Sequence, residues 1–362
     1  MVPLLQATSA LGKLPSSGAF SIFTWLFQGI SNLSGTAHGD YSPETFAYRS
    51  HRSLENRDPT LMWGGGCTSG SRPFKSDLEL DLWRPKSPNG KTIFHVHGGG
   101  WSLLDKSNSF VIDFLLDNGV TVVSPQYSLV CEGYNGVDML DDLYAARQFL
   151  SLNAESWGIN DTEVGALGTS SGGHLAMLLA FSNPSNFTFV QNMYGPGDFS
   201  EWFESGWVAS GTSGREFTCH NQGDHWSFVP PSCDDNGVGS VSPVALIGPE
   251  SPRTVSIHGS MDSLIPYYLS ESLHDTLDSN AVRNSLITLN GFDHVLDLGY
   301  GSVGNQLCRY SLLQLLNNQK IEGRGGGDVV LAFSLLGCLW GAGLTVRSFQ
   351  LARRGYKVDR RT

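Results

Sequence analysis

The stretch GALGTSSGGHLAMLLAFS, Gly165–Ser182, decides how the rest of this chain is read. The segment EVGALG is short and apolar, like a buried strand, and it runs straight into two serines set among glycines. HLAMLLAFS then has the pattern of a helix. A strand-to-helix turn this tight needs small residues two before and two after its central serine, because neighbouring chain would otherwise clash. Ser170 meets the requirement with Gly168 and Gly172, whereas Ser171, between Thr169 and Gly173, meets half of it. Ser170 is therefore the expected nucleophile. Ser171 is better placed to offer its backbone N–H, at a helix N-terminus where negative charge is favoured.

Working outward, the strand-like TIFHVH ends in HGGGW, His97–Trp101. Glycines let backbone amides approach a reacting group closely. Such amides stabilise the oxyanion formed when a serine attacks an acyl carbon. Gly99 and Gly100 are the expected donors, with Ser171 as the third. A serine hydroxyl also needs a base, and the base an acid to orient it. HGSMDSLIP supplies Asp262 after the strand-like TVSIHG, and GFDHVLD supplies His294 after NSLITLN. The order serine, acid, histidine is the one this architecture uses. Asp293 and Asp297 lie too near His294 in sequence to orient it easily, and His258 precedes the acid. His220 and His225 fall in an irregular stretch, and His95 and His174 read as structural.

Strand-like segments also include DLELDLW (Asp77–Trp83), read as half-buried, VTVVSP (Val120–Pro125) and FTFVQNMY. Between them, DMLDDLYAARQFLSLNAESWG spaces Leu140, Leu143, Ala146 and Leu150 as a helix does. The alternation predicts an α/β fold, a mostly parallel sheet with helices on both faces and chemistry at the carboxyl ends of its strands. Residues 199–249 break the alternation with Gly, Ser, Trp202, Trp207 and Trp226, and read as a lid-like insert, with a plain surface loop as the alternative.

HGGGW, GTSSGGHLA, HGSMDSLIP and GFDHV together resemble the esterase and lipase branch of the α/β-hydrolases, near the hormone-sensitive-lipase-like and feruloyl-esterase-like carboxylesterases. The resemblance runs from about Asp77 to Leu316. It implies the α/β-hydrolase fold and cleavage of a small-molecule carboxylic ester by Ser170, His294 and Asp262 through an acyl-enzyme. It calls for no metal or organic cofactor. GTSSGG stands where GDSAGG is usual, and QYS where DYR is common, which alters the surroundings of the serine but removes no required group. HGSMDSLIP is also similar to prolyl-oligopeptidase-type peptidases, so amide hydrolysis, as by a peptidase or formamidase, is the first alternative. About seventy residues precede DLELDLW, too few for two propeller blades of ~40 residues. A membrane-anchored binding protein with an inactive esterase-like domain is the second alternative, and the presence of every expected residue counts against it.

The ends carry a separate message. A net charge of −11 argues against a general nucleic-acid surface. The tail at 347–362 carries +5 of its own, leaving −16 for the rest. It follows VVLAFSLLGCLWGAGLTV, an uncharged run at 329–346 that as a helix would be ~27 Å long. That length approaches the bilayer core, so a single membrane-spanning helix is expected, with the basic tail cytoplasmic and the large domain lumenal or extracellular. A tail-anchored domain facing the cytosol is the alternative. Gly337 and Gly341 have GxxxG spacing, a weak hint of a homodimer. Residues 1–40 hold a candidate signal peptide around Ala19–Ile30. The expected hydrolase domain covers 41–318, with a linker at 319–328. Sequons at Asn32, Asn160 and Asn186 suit a glycoprotein, and Cys219 and Cys233 suit a disulfide if the compartment is oxidising.

Overall fold

A computed structural model describes residues 41–50, 77–200 (without 102–103, 108, 110, 130–131, 133 and 135), 241–297, 301–319 and 329–331. The strands among them are β1 (Glu44–Arg49), β2 (Leu78–Trp83), β3 (Thr92–Val96), β4 (Thr121–Pro125), β5 (Val164–Thr169), β6 (Phe189–Met193), β7 (Arg253–Gly259), β8 (Asn284–Leu289) and β9 (Val329–Leu331). They form one sheet in the order β1-β2-β4-β3-β5-β6-β7-β8-β9. β1 and β2 join antiparallel, and β4, β3, β5, β6, β7 and β8 run parallel. This is the expected α/β-hydrolase architecture.

Register is what positions the site. Val96 lies beside Gly168, Thr169 beside Met193, Met193 beside Ile257, and Gly259 beside Leu289. The carboxyl ends of five parallel strands therefore open side by side along one edge. The loops that follow them, each carrying different chemistry, emerge together.

The helices are α1 (Ile112–Asp117), α2 (Gly136–Trp157), α3 (Ser171–Ser182), α4 (Tyr268–Ser279) and α5 (Val303–Leu316). α2 buries Met139, Leu143, Ala146, Leu150 and Ala154, one stripe at helical spacing, while Leu140 is only partly covered. α3 is buried from Ser171 to Phe181, which explains its lack of a polar face. α4 shows the opposite pattern, burying Leu269, Leu273 and Leu277 and exposing its acids.

Several expectations need correction. The alternation in DLELDLW predicts a half-buried strand, but β2 is nearly covered on both faces, with Leu80 and Leu82 in the core and Asp81 buried as well. Asp81 is buried there with Lys106 Nζ at 2.8 Å and the Thr45 hydroxyl at 2.7 Å on its carboxylate. β1 precedes DLELDLW and has no counterpart in the sequence reading. Its Arg49 bonds Asp141 and Asp142 of α2, and Phe46 packs on Trp157 at 4.9 Å between ring centroids.

At the other end, Val329–Leu331, the first residues of the expected membrane helix, form β9. Residues 332–346, with Gly337 and Gly341, lie outside the described residues. Among the described residues no helix is long and apolar enough to cross a membrane. The candidate signal peptide, Asn32, most of the 199–249 insert and Cys219 and Cys233 also lie outside them. Residues Met1–Val330 make one compact unit and Leu331–Thr362 a second, and the site described next belongs to the first.

Candidate active site

Ser170 sits between β5 and α3 with φ 53° and ψ −124°, a left-handed backbone that a side chain rarely adopts. The surroundings hold it there. Its N–H donates to the Met193 carbonyl at 2.8 Å, and its carbonyl accepts from His174 N at 3.1 Å. A Cβ on Gly168 would collide with the backbone of Gly172, and one on Gly172 with the carbonyls of Val96 and His97. Both glycines are thus required by close approach of backbone to backbone, as their positions in G-x-S-x-G predict.

His294 Nε2 lies 3.0 Å from Ser170 Oγ, and His294 Nδ1 lies 2.7 Å from Asp262 Oδ2. Three residues 124 and 32 positions apart in pairs thereby form one hydrogen-bonded line. The Asp262 side chain is fully buried and that of His294 is 3% exposed. Burial pushes the Asp262 carboxyl up, but the His294 charge and hydrogen bonds from His258 and His294 more than offset it. The group is held well below the usual carboxylate range. Its other oxygen, Oδ1, accepts from the backbone N–H of Leu264 at 2.9 Å and Ile265 at 2.8 Å. A carboxylate fixed in this way holds Nδ1–H on the imidazole, which leaves Nε2 to accept the serine proton.

The glycine loop lies against this line. A Cβ on Gly98 would come within 3.5 Å of Ser170 Cβ, so the loop passes directly beside this serine. Gly99 and Gly100 take φ 115° and 59°, and a Cβ on Gly100 would meet nothing within 4 Å. Tyr127 braces the loop from behind. Its hydroxyl donates to the His97 carbonyl at 2.8 Å, and its ring stacks on His97 at 4.2 Å.

The remaining sequence candidates find other work. His95 Nδ1 contacts Ser124 Oγ at 3.1 Å. His174 contacts the Val241 carbonyl through Nε2 at 2.7 Å, and burial lowers its pKa to about 3. His258 does not reach the serine but bonds Asp262. Asp293 accepts from the Ser263 N–H and hydroxyl and from His294 N, tying the acid loop to the histidine loop. Asp297 is buried and accepts from the Tyr194 hydroxyl, with burial raising its pKa. His220 and His225 lie outside the described residues.

Tyr194 was missed by sequence reasoning. It follows β6 with φ 45°, and its ring meets the His294 ring edge-on at 4.8 Å. Its place at the carboxyl end of a parallel strand was the available signal.

Fold and site together define an α/β-hydrolase bearing a serine, an imidazole and a carboxylate in hydrogen-bonded series. Residues 80–277, more than half of the chain, match the BD-FAE family model, and the chain belongs to that family. It is similar to an acetyl esterase of Salmonella typhi, 27% identical over 146 residues, 40% of this chain and 44% of that one. An acetylxylan esterase of Xylanibacter ruminicola is 29% identical over 108 residues, 29% of this chain and 22% of that one. The chain thus spans less than half the length of these curated relatives. Among solved structures, an esterase from Pyrobaculum calidifontis aligns with a TM-score of 0.59 at 16% identity, covering 88% of this chain and 99% of that one.

Proposed function

We propose that this protein hydrolyses carboxylic esters carrying a short acyl group, acetyl esters above all, through an acyl-enzyme on Ser170. The observation that carries the reading is the unbroken series Ser170–His294–Asp262 at 3.0 and 2.7 Å. The acetyl esterase and acetylxylan esterase names of its relatives support the acyl group.

In the first step His294 Nε2 takes the Ser170 proton as Oγ attacks the ester carbonyl carbon. Asp262 holds the imidazole in position and stabilises its charged form. Negative charge on the carbonyl oxygen falls to the backbone N–H groups of Gly99, Gly100 and Ser171. The alcohol leaves with the proton from His294. Water then attacks the acyl-enzyme, with His294 again the base, and releases the acid. A panel of p-nitrophenyl esters of rising chain length tests both parts. Acetate should be the fastest substrate, and Ser170→Ala should lower kcat/KM by roughly 10⁴-fold or more. Undiminished hydrolysis by that variant would end the proposal.

Attachment to a membrane is part of the same proposal. The uncharged residues up to Val346 and the basic tail support it, and the exposed sequon at Asn160 supports a lumenal or extracellular domain. Carbonate extraction of membranes should leave the protein in the pellet, and glycosidase treatment should shift its size. Release into the supernatant would remove the anchor without touching the chemistry.

A further inference from the structure

We propose that His258 is a positioning residue for the chemistry at Ser170, donating a hydrogen bond to the carboxylate oxygen that also holds His294 and thereby setting the pH at which His294 becomes a base. The inference rests on the ester-hydrolase reading for its kinetic test, though not for its spectroscopic one.

Asp262 Oδ2 receives two imidazoles, His294 Nδ1 at 2.7 Å and His258 Nε2 at 3.1 Å. His258 is fully buried near the end of β7, four residues before the acid. Its Nε2 also faces the Ile265 carbonyl at 2.9 Å. Neither a carboxylate nor a carbonyl can donate, so Nε2 must carry a proton. Nδ1 faces Ser270 Oγ at 2.7 Å, a hydroxyl able to donate or accept. The Tyr267 ring closes over the imidazole edge-on at 5.7 Å. His258 is thus fixed as an N–H donor whichever charge it carries.

The consequence for His294 follows from electrostatics. A carboxylate oxygen bonded to one imidazole alone would turn its full charge on that ring and favour imidazolium, which cannot act as base. A second N–H on the same oxygen draws off part of that charge, so less of it acts on the His294 ring. The other groups facing the pair are accounted for. Asp293 bonds the His294 backbone N–H and Ser263, and Asp297 bonds the Tyr194 hydroxyl. The Tyr194 ring meets His294 edge-on, and the remaining oxygen of Asp262 is occupied by backbone N–H groups.

The test uses the full chain labelled with nitrogen-15 histidine, read by NMR titration of the His294 ring and by the pH profile of kcat/KM for p-nitrophenyl acetate. In the unaltered protein, His258 Nε2 should be protonated across neutral pH. His258→Leu removes the donor and should raise both the His294 midpoint and the acid limb of the profile by about 1 pH unit. His258→Gln, whose amide N–H reaches to a similar distance, should restore the original midpoint. If the leucine variant yields too little folded protein, His258→Asn, polar but too short to reach Oδ2, should shift in the same direction. A filler role predicts lost stability with both midpoints unmoved. That result, or a bare Nε2 in the unaltered protein, overturns the proposal. A His294 midpoint that moves in a protein hydrolysing no ester would sink the functional reading and leave the coupling intact.

Discussion

Ser170 occupies a backbone conformation that stores of order 1–3 kcal/mol of strain in a non-glycine residue. The strain belongs to function, since it lifts Oγ off the end of β5 toward His294. Two substitutions separate the effects. Ser170→Ala and Ser170→Gly should both abolish hydrolysis, but the glycine variant, free to take φ 53°, should be the more stable in urea unfolding. Equal stability would mean that the turn holds no strain. Gly172 shows the reverse constraint. A methyl group there meets two backbone carbonyls that have no side-chain freedom to yield. Gly172→Ala should cost about 1–3 kcal/mol of stability and lower kcat with it, measured by denaturation and turnover together.

Helix α3 follows directly on Ser170 and carries a neutral histidine in its first turn. His174 packs edge-on against Trp101 of the glycine loop at 5.6 Å and beside Phe199 at 4.5 Å, while its Nε2 contacts the Val241 carbonyl. One side chain therefore joins the elbow helix, the loop after β3 and two residues of the insert, Phe199 and Val241. Burial is the larger influence on its titration, lowering the pKa to about 3 despite the bond to Val241. An unfolded histidine takes its proton near pH 6.5, but the folded one refuses it. Stability from this residue is therefore complete above pH 6.5 and falls as pH drops toward 3, by up to about 1.4 kcal/mol per pH unit. Urea unfolding across that window should show a flatter dependence for His174→Phe than for the unaltered protein. Parallel curves would refute the assignment.

The three residues of the proposed triad all lie in the unit that ends at Val330. A chain ending after Leu331 should therefore keep kcat/KM for p-nitrophenyl acetate within about twofold of the full chain. A large loss would mean that the second unit contributes to hydrolysis. At this scale the sequence was legible where a fold demands particular atoms. Gly98, Gly168 and Gly172 could be read because backbone packs on backbone there, and Gly99 and Gly100 because their positive φ favours glycine. α2 and α3 were legible through the spacing and density of their apolar residues. β1 was not, because ETFAYR has no clean alternation and is secured by Arg49 reaching Asp141 and Asp142, some ninety residues away.

By itself, then, the sequence determined the local devices: an elbow around Ser170, a glycine loop, and an acid and a histidine in an order one architecture uses. Only the tertiary structure decided their partnerships. Parallel pairing aligned the ends of β3, β5, β6, β7 and β8, and that alignment put His294 on Asp262 and Tyr194 on Asp297. Chain order carries no record of which strand ends become neighbours in space. A hydrogen bond depends on that neighbourhood alone.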